Sequence, residues 1–290
     1  MPSARTRAQA TRVEPRRHYE ALAAVPSTLR IPLAARAFGD AMFPHVAVGD
    51  AFAAPMMEAL DDDGHTWLED EGCVYGVLVR TRQFRQVAQD FLQAHAGGLV
   101  ANLGCGLSNY FQWLDDGRSR MIDADLPEVL AIRDHMLPAA EGRHQQRALD
   151  LRSPDWWSAL DLPNREGAPV CLFTEGVLMY LQPQQVQALL HTFGEQAPAG
   201  SLLAFDALCW LTVGNARLHP LVRHTAAEFT WGPSSLAELS RPHPRLRLDA
   251  VHQVMEGFST QHSFAGSAFR FLTGVPYYAV YVLRVEDAPV

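Results

Sequence analysis

The stretch 99-LVANLGCGLSNY-110 joins a short apolar run to two glycines, Gly104 and Gly106, with one residue between them. This pattern is typical of a β-strand that leads into a tight turn beside a nucleotide-like ligand. A dinucleotide-binding turn carries a third glycine three positions after the second, and Asn109 occupies that position here. The stretch therefore predicts a ligand-binding turn but leaves the ligand open.

The segments after this stretch alternate between apolar runs and helical patterns. The apolar runs predict five β-strands, at residues 99–103, 120–126, 146–151, 169–176 and 201–208. Helical patterns at 127–137 and 183–197 each open with a proline, which is favoured in the first turn of a helix. Strands that alternate with helices indicate βαβ units, and continuous apolar runs are typical of buried parallel strands. The sequence therefore predicts an α/β fold with a mostly parallel sheet.

The regions on either side of this alternating core have a different character. Residues 19–95 form an N-terminal helical cap in our interpretation, because apolar spacings of three and four predict a helix over 74–95. Residues 207–243 predict a lid inserted after the fifth strand. We expect residues 19–290 to form a single domain. Residues 1–18 contain five arginines and predict a disordered basic tail, with an organelle transit peptide as the alternative.

The end of the chain is rich in β-formers. Residues 245–254 and 276–286 alternate between apolar and polar side chains. This alternation predicts a closing pair of strands, at least one of them antiparallel.

Composition narrows the class of protein. The chain has 290 residues, of which 48% are hydrophobic, so it is long enough for one large core. A formal net charge of -8 argues against a nucleic-acid partner, because phosphate contacts require a basic face. No apolar stretch reaches the roughly 18 residues that a membrane span requires, so we expect no membrane partner.

The cysteines indicate neither a metal site nor a disulfide framework. Cys73, Cys105, Cys171 and Cys209 are widely spaced and form no C-x-x-C pair. We interpret them as free thiols, which suit a reducing cytosol, and we expect a cytoplasmic protein.

Acidic residues follow three consecutive predicted strands. Asp125 ends the second strand, Asp150 ends the third and Glu175 ends the fourth. In an open α/β sheet, ligands bind at the carboxyl ends of the strands. An acid after the second strand can accept hydrogen bonds from both ribose hydroxyls, and an acid after the third can accept one from the adenine amine. Asp150 can instead cap the next helix, and Asp123 can be a solvated or capping residue.

The same acids distinguish between two nucleotide-like ligands. A dinucleotide places its pyrophosphate on a helix N-terminus, and a carboxylate beside the glycine turn would repel that group. S-adenosylmethionine carries a cationic sulfonium and an ammonium group and has no phosphate. The acids and the missing third glycine therefore favour S-adenosylmethionine.

Three blocks resemble the leucine carboxyl methyltransferase family, most closely its bacterial branch of tetracenomycin-type polyketide O-methyltransferases. The blocks are 99-LVANLGCGLSNYFQWLDDG-117, 122-IDADLPEVLAIRDHMLP-138 and 170-VCLFTEGVLMYLQPQQVQALL-190. The resemblance implies a class I methyltransferase fold, which is a Rossmann-like, seven-stranded sheet with helices on both faces and a reversed last hairpin. It implies the N-terminal helices and the lid, and S-adenosylmethionine as methyl donor.

The resemblance also implies roles for single residues. The turn Gly104-Cys105-Gly106 would lie under the methionine part of the donor, Asp125 would hold the ribose, and Asp150 and Leu151 would frame the adenine. Glu175 would face the ammonium or sulfonium. Arg80 would pair with a carboxylate of the donor or the acceptor, with Arg82 as the fallback and Arg30 as a looser match. Tyr180 would orient the acceptor.

The turn departs from the family at one place. The family reads G-x-D-T-R where this chain reads 106-GLSNY-110, so an acid and an arginine are replaced. The departure bears on cofactor affinity and on the type of acceptor.

We interpret the chain as an S-adenosylmethionine-dependent O-methyltransferase that acts on a carboxylate or phenol oxygen of a small natural-product-like acceptor. A phenol benefits from a general base, and the candidates are His219, His224 and His243. The aromatics Trp210, Phe229 and Trp231 line the acceptor pocket or pack the lid. We see no metal-ligand cluster. The alternatives are a non-catalytic methyltransferase-like scaffold and an NAD(P)-dependent oxidoreductase.

Overall fold

The computed structural model describes residues 27–216 and 227–287, and within them a single seven-stranded sheet organises the chain. Its strands are β1 (Leu99–Leu103), β2 (Arg120–Asp125), β3 (His144–Ala148), β4 (Val170–Thr174), β5 (Leu202–Leu208), β6 (Leu246–Gln253) and β7 (Tyr278–Val285). The spatial order is β3-β2-β1-β4-β5-β7-β6. The first five strands run parallel, and β7 is antiparallel to both β5 and β6. The predicted mostly parallel sheet with a closing antiparallel pair of strands is confirmed.

Helices precede the sheet and connect its strands. In the described residues they are α1 (Ser27–Met42), α2 (Ala53–Ala59), α3 (His65–Leu68), α4 (Glu71–Ala94), α5 (Phe111–Leu114), α6 (Pro127–Met136), α7 (Trp156–Ala159), α8 (Pro183–Gln196), α9 (Leu236–Ser240) and α10 (Thr260–Thr273). Short 3-10 helices lie at Pro44–Val46, Leu178–Tyr180 and Trp210–Thr212.

The core is split between the two faces of the sheet. One face is covered by the apolar side of α8, including Leu189 and Phe193, and the other by α4, including Phe84 and Phe91. Every residue of β1, β4 and β5 is buried, since each strand has a helix layer on both sides. This arrangement explains why these strands appear in the sequence as continuous apolar runs.

The strand order reverses direction between β1 and β4. The chain steps outward from β1 to β2 and β3, then crosses back to place β4 on the other side of β1. Connections therefore leave in opposite directions from the carboxyl ends of β1 and β4, and a crevice opens between them. This crevice is where the fold predicts a ligand.

Two elements differ from the sequence predictions. β3 spans His144–Ala148, which is earlier than the predicted 146–151, because its polar composition gives no clear apolar boundary. α10 was not predicted; it lies in the connection between β6 and β7, where we had expected only a hairpin.

Several expectations concern residues outside those described. The predicted basic tail at residues 1–18 lies outside the described residues, and so does part of the predicted lid at 207–243. The division of the chain into cap, domain and lid stays a prediction. Within 27–216 and 227–287, no helix is both long and apolar enough to cross a lipid bilayer.

Candidate functional site

A cavity of about 1070 Å³ lies at the carboxyl ends of the central strands. α1, α4 and α10 contribute to its walls. Every residue that the sequence analysis expects to bind the cofactor lines this cavity: Arg80, Gly104, Cys105, Gly106, Asp125, Asp150, Leu151 and Glu175. Tyr180, the residue expected to orient the acceptor, lines it as well. Residues from four different strand ends are thus brought to one site.

The glycine turn after β1 is conformationally constrained. Gly104 has a φ of 73° and Gly106 a φ of 50°, in the left-handed region that favours glycine. A Cβ at Gly104 would lie 2.5 Å from the Val177 side chain. The turn brings bare backbone to the cavity wall, where a ligand can approach it closely.

Asp125 closes the turn from the end of β2. Its Oδ2 accepts a hydrogen bond of 2.7 Å from the Gly106 amide, and its Oδ1 accepts one of 2.7 Å from the Leu126 amide. Burial raises the pKa of this carboxyl, although both amide hydrogen bonds act in the opposite direction. The carboxylate is held in a fixed position and keeps further acceptor capacity, because each of its oxygens has two lone pairs.

The same geometry disfavours a dinucleotide. In a dinucleotide-binding turn, amides at a helix N-terminus donate to the pyrophosphate. Here the Gly106 amide already donates to Asp125, so a carboxylate stands where a phosphate would approach. The helix after the turn, α5, has only four residues and supplies little macrodipole.

Asp150 and Leu151 lie beyond β3 at the outer end of the cavity. Asp150 pairs with Arg152 at 2.7 Å and is partly exposed to solvent. Side-chain and backbone hydrogen bonds from Arg152 lower the pKa of Asp150. The capping alternative for Asp150 is wrong, since α7 begins after Asp155.

Arg80 and Glu175 form an ion pair at the centre of the site. The Arg80 Nε donates to Glu175 Oε1 over 2.9 Å, and its Nη1 donates to Asp206 Oδ2 over 3.1 Å and to the Tyr278 hydroxyl over 2.8 Å. Burial acts to lower the pKa of Arg80, but Tyr278, Asp206 and Glu175 together hold it well above its usual value. Among the described residues, the structure gives its Nη2 no hydrogen-bond partner, so that nitrogen remains available.

Asp206 and Tyr278 are parts of this cluster that the sequence analysis missed. Asp206 is fully buried on β5 and accepts 2.7 Å and 2.6 Å hydrogen bonds from the Tyr278 hydroxyl and the Gly176 amide. Burial raises the pKa of Asp206. An acid inside the apolar run 201-SLLAFDAL-208 was the available signal, because a buried carboxylate requires partners.

Other basic residues that we considered lie elsewhere. Arg82 donates to backbone carbonyls of His45 and Ala47, and Arg30 pairs with Asp62 at 2.6 Å; neither lines the cavity. Arg36, which we missed, does line it, and is held by Asp50 at 2.9 Å. The sequence carries no signal for this pairing across fourteen residues.

The far half of the cavity is apolar and aromatic. Tyr180 stacks at a tilt against Phe229 with ring centroids 5.7 Å apart, and burial raises the pKa of Tyr180 to about 12. Of the three candidate lid aromatics, only Phe229 lines the cavity. Trp231 packs in the main core, and Trp210 is 44% exposed. Further apolar lining comes from Met179, Leu208, Met255, Phe269 and Tyr277.

The histidine candidates need correction. His243 is buried beside Glu195, with its Nε2 3.0 Å from the Glu195 carboxylate, and does not line the cavity. His219 and His224 lie outside the described residues. His262 on α10, which we did not consider, lines the cavity, and its Nδ1 lies 2.8 Å from the Ser259 hydroxyl.

Asp123 is a structural residue, so the solvated or capping interpretation is wrong. It is fully buried and pairs with Arg133 and His144. Arg133 also donates to the backbone carbonyls of Gly106 and Ser108 over 2.7 Å and 2.6 Å, which holds the turn in place.

In the part of the chain that the structure describes, no group of histidine, cysteine or acidic residues is arranged to hold a metal ion.

Comparison with solved structures agrees with the topology. The chain matches a duf574 family protein from Streptomyces avermitilis with a TM-score of 0.56, at 16% identity, over 88% of this chain and 97% of that one. It matches a candidate methyltransferase from Thermobifida fusca with a TM-score of 0.52, at 17% identity, over 75% and 82%. These likenesses concern the fold, which is that of the class I methyltransferases.

Sequence comparisons then give the family. Residues 20–194 match the leucine carboxyl methyltransferase family. The chain is 30% identical over 236 residues to the tetracenomycin polyketide synthesis O-methyltransferase TcmP of Streptomyces glaucescens, covering 81% of this chain and 85% of that protein. The chain therefore belongs to the leucine carboxyl methyltransferase family, and it is an S-adenosylmethionine-dependent methyltransferase. The scaffold and oxidoreductase alternatives are set aside.

A second relative is matched over a shorter stretch. A candidate S-adenosyl-L-methionine-dependent methyltransferase of Mycobacterium tuberculosis is 30% identical over 187 residues, which are 56% of this chain and 59% of that protein. The chain thus matches less than two thirds of that relative's length.

Proposed function

We propose that the chain transfers the methyl group of S-adenosylmethionine to an oxygen atom, of a carboxylate or a phenol, in a small and largely apolar acceptor. One observation carries this proposal: the lining of one cavity includes carboxylates at strand ends, which we call its carboxylate half, and a group of aromatic side chains, which we call its aromatic half. The first half suits a cationic nucleoside and the second a ring system.

In this proposal the carboxylate half binds the donor. Asp125 accepts hydrogen bonds from the ribose, and Asp150 and Leu151 frame the adenine. Residues 104–106 pass under the methionine part. Two features support this placement of the donor: the turn presents backbone without side chains at its glycines, and the Asp125 carboxylate can accept further hydrogen bonds.

The centre of the cavity holds the amino-acid end of the donor. Glu175 faces its ammonium group, and the Arg80 Nη2 donates to its carboxylate. The Glu175 side chain is 7% exposed and the Arg80 side chain 12%, so both are fixed before the donor arrives and little reorganisation is needed.

The aromatic half receives the acceptor, and Tyr180 orients it. Tyr180 lines the cavity, and its hydroxyl has no hydrogen-bond partner among the described residues, so it is available to an acceptor oxygen. The name of TcmP describes an O-methyltransferase of polyketide synthesis, and this favours a natural-product acceptor.

The residues contribute chiefly alignment and exclusion of water. Bound S-adenosylmethionine supplies a methyl group on a positively charged sulfur. The walls hold the acceptor oxygen in line with that methyl group, and apolar lining keeps water away from it. A carboxylate acceptor is already ionised at neutral pH, whereas a phenol with a pKa near 10 gains from a base. His262 is the cavity-lining histidine among the described residues.

We place the reaction in the cytoplasm. All four cysteines are free thiols, and three of them are buried, which suits a reducing compartment.

The test measures transfer of a radiolabelled methyl group from S-adenosylmethionine to aromatic acceptors. Naphthols and naphthoic acids form a matched pair that offers a phenol or a carboxylate on the same ring system, and hydroxylated anthraquinones offer a larger phenol. The proposal expects label in an ether or an ester product, identified by mass spectrometry. Transfer only to amine or thiol analogues, with none to any oxygen acceptor, would contradict it.

A further inference from the structure

The Glu175 carboxylate is held by three side-chain donors. Its Oε1 accepts from the Arg80 Nε over 2.9 Å and from the Thr81 hydroxyl over 3.2 Å. Its Oε2 accepts from the Tyr110 hydroxyl over 2.6 Å. Since each oxygen has two lone pairs, Oε1 is saturated and Oε2 keeps one acceptor position.

The cluster around Glu175 carries an excess negative charge. Glu175 and Asp206 share the single guanidinium of Arg80, at 2.9 Å and 3.1 Å. The nearby Arg36 is already paired with Asp50 at 2.9 Å. Among the described residues, two ionised carboxylates against the one guanidinium of Arg80 leave a net charge of about -1 in a buried setting, where charge acts strongly on a ligand.

Tyr110 is fixed in place and neutral. It is fully buried, with its ring 4.6 Å from Phe173 and 5.2 Å from Trp113, both edge to face. Burial, and then the charge of Glu175, raise the pKa of the Tyr110 hydroxyl well above its usual value. Its proton points to Glu175, since the alternative acceptor, the Thr81 carbonyl, is 3.4 Å away.

A neutral donor and a charged donor would act differently at this position. The Tyr110 hydroxyl satisfies Oε2 and fixes the carboxylate without cancelling its charge. A guanidinium in the same place would bring the net charge of the cluster to about zero and remove its attraction for a cation.

We propose that Tyr110 is a positioning residue that orients Glu175, a carboxylate that Arg80 neutralises only in part, toward the ammonium group of the methyl donor. This role rests on the proposed function and refines it. It gives Tyr110, which lies where the chain departs from its family's pattern, a definite part in donor recognition.

The test compares two ligands that share an adenosine thioether. S-adenosylhomocysteine carries the ammonium and carboxylate groups, and 5′-methylthioadenosine lacks both. Tyr110→Phe removes one hydroxyl from a buried ring. We expect it to weaken S-adenosylhomocysteine binding by roughly tenfold in calorimetric titration, as for a lost hydrogen bond to a charged group. Binding of 5′-methylthioadenosine should stay unchanged.

Tyr281→Phe is the matched control. Tyr281 is also fully buried, and its hydroxyl has no hydrogen-bond partner in the described structure. We expect this variant to bind both ligands as the wild-type protein does. Melting temperatures of both variants show whether each is folded.

A double variant separates positioning from general damage. Glu175→Gln removes the charge, so adding Tyr110→Phe to it should cost little further affinity for S-adenosylhomocysteine. Equal losses for both ligands, no loss for either, or full additivity with Glu175→Gln would overturn the role of Tyr110. Failure of the wild-type protein to bind S-adenosylhomocysteine would instead contradict the proposed function itself.

Discussion

At the scale of single residues, Asp125 connects the turn to the ligand. Its carboxylate fixes the Gly106 amide at 2.7 Å and also lies in the cavity wall. The residue therefore shapes the turn and offers acceptor oxygens to a ribose at the same time. Its loss should affect donor binding more than overall stability.

Asp125→Asn should weaken binding of S-adenosylmethionine by about 1–3 kcal/mol, the range for losing hydrogen bonds to a charged group. Calorimetric titration measures this change. Asp249→Asn is the control, because Asp249 is an acid at the surface that pairs with Arg284 and does not line the cavity. Equal affinities of the wild type and Asp125→Asn would remove Asp125 from the site.

The affinity for S-adenosylmethionine should also fall as the pH is lowered through the pKa of Asp125. Burial raises the pKa of Asp125 above the ordinary 3.8, so the carboxylate takes up a proton at a higher pH and loses acceptor capacity. Lower pH has the opposite effect on folding, because the folded protein binds this proton more tightly than the unfolded chain does. The stabilisation that protonated Asp125 gives to the ligand-free protein is fully present below pH 3.8, and it is lost as the pH rises through the raised pKa of Asp125 in the folded protein. Titrations from acid to neutral pH check the prediction, and Asp125→Asn should show a flatter profile.

The site residues that could be predicted from the sequence are those whose place in the site follows from their position at the end of a strand. Asp125 and Glu175 follow apolar runs, and strand ends converge in an α/β sheet whatever the details. Tyr110 and Tyr278 could not be predicted, because their contacts with Glu175 and Asp206 span 65 and 72 residues and depend on packing. Arg80 was found only through the resemblance to a family.

At the scale of elements, the glycine turn after β1 joins the sheet to the cavity. Gly104 combines a left-handed φ with a close approach to Val177. Both features exclude a side chain there.

Gly104→Ala should destabilise the protein by about 1–3 kcal/mol more than Gly117→Ala does, the usual cost of overpacking. Gly117 has a φ of 78°, close to the 73° of Gly104, but its Cβ would meet nothing within 4 Å. The control therefore carries the backbone strain alone. Urea unfolding of both variants measures the difference, and equal midpoints would mean that Val177 yields to the new methyl group.

α10 lines the cavity and is not part of the buried core, and in our proposal it lies beside the acceptor. None of its residues is buried, yet His262 and Phe269 line the cavity. It can therefore vary with little effect on folding.

Gly266→Leu should raise the KM for the acceptor and leave the affinity for S-adenosylmethionine unchanged, since a side chain at this helical position enters the aromatic half of the cavity. Ser267→Leu is the control, because Ser267 is an exposed neighbour that does not line the cavity. Methyl-transfer kinetics distinguish the two variants. A weaker donor affinity in Gly266→Leu would place the donor in that half instead.

Element boundaries show the same limit of sequence reasoning. Strands β1, β4 and β5 were predicted within a few residues because they are buried and largely apolar. β2 was predicted from its apolar residues Met121, Ile122 and Ala124, although three of its 6 residues are charged. α10 was missed because its phenylalanines alternate with glycine, serine and alanine, and three of its large apolar residues face solvent: Phe264, Phe271 and Leu272.

At the scale of the whole molecule, the order of the strands decides where chemistry takes place. The reversal between β1 and β4 opens the crevice, and α1, α4 and α10 enclose it. The enclosed space has a carboxylate half and an aromatic half. We therefore predict that donor and acceptor bind separately, each in its own half of the cavity.

The most direct test is calorimetric titration of the wild-type protein with S-adenosylmethionine and, separately, with NAD. We predict one binding event per chain with S-adenosylmethionine and no heat with NAD, because carboxylates surround the turn and its Gly106 amide is already taken. Binding of NAD, with no binding of S-adenosylmethionine, would contradict the account.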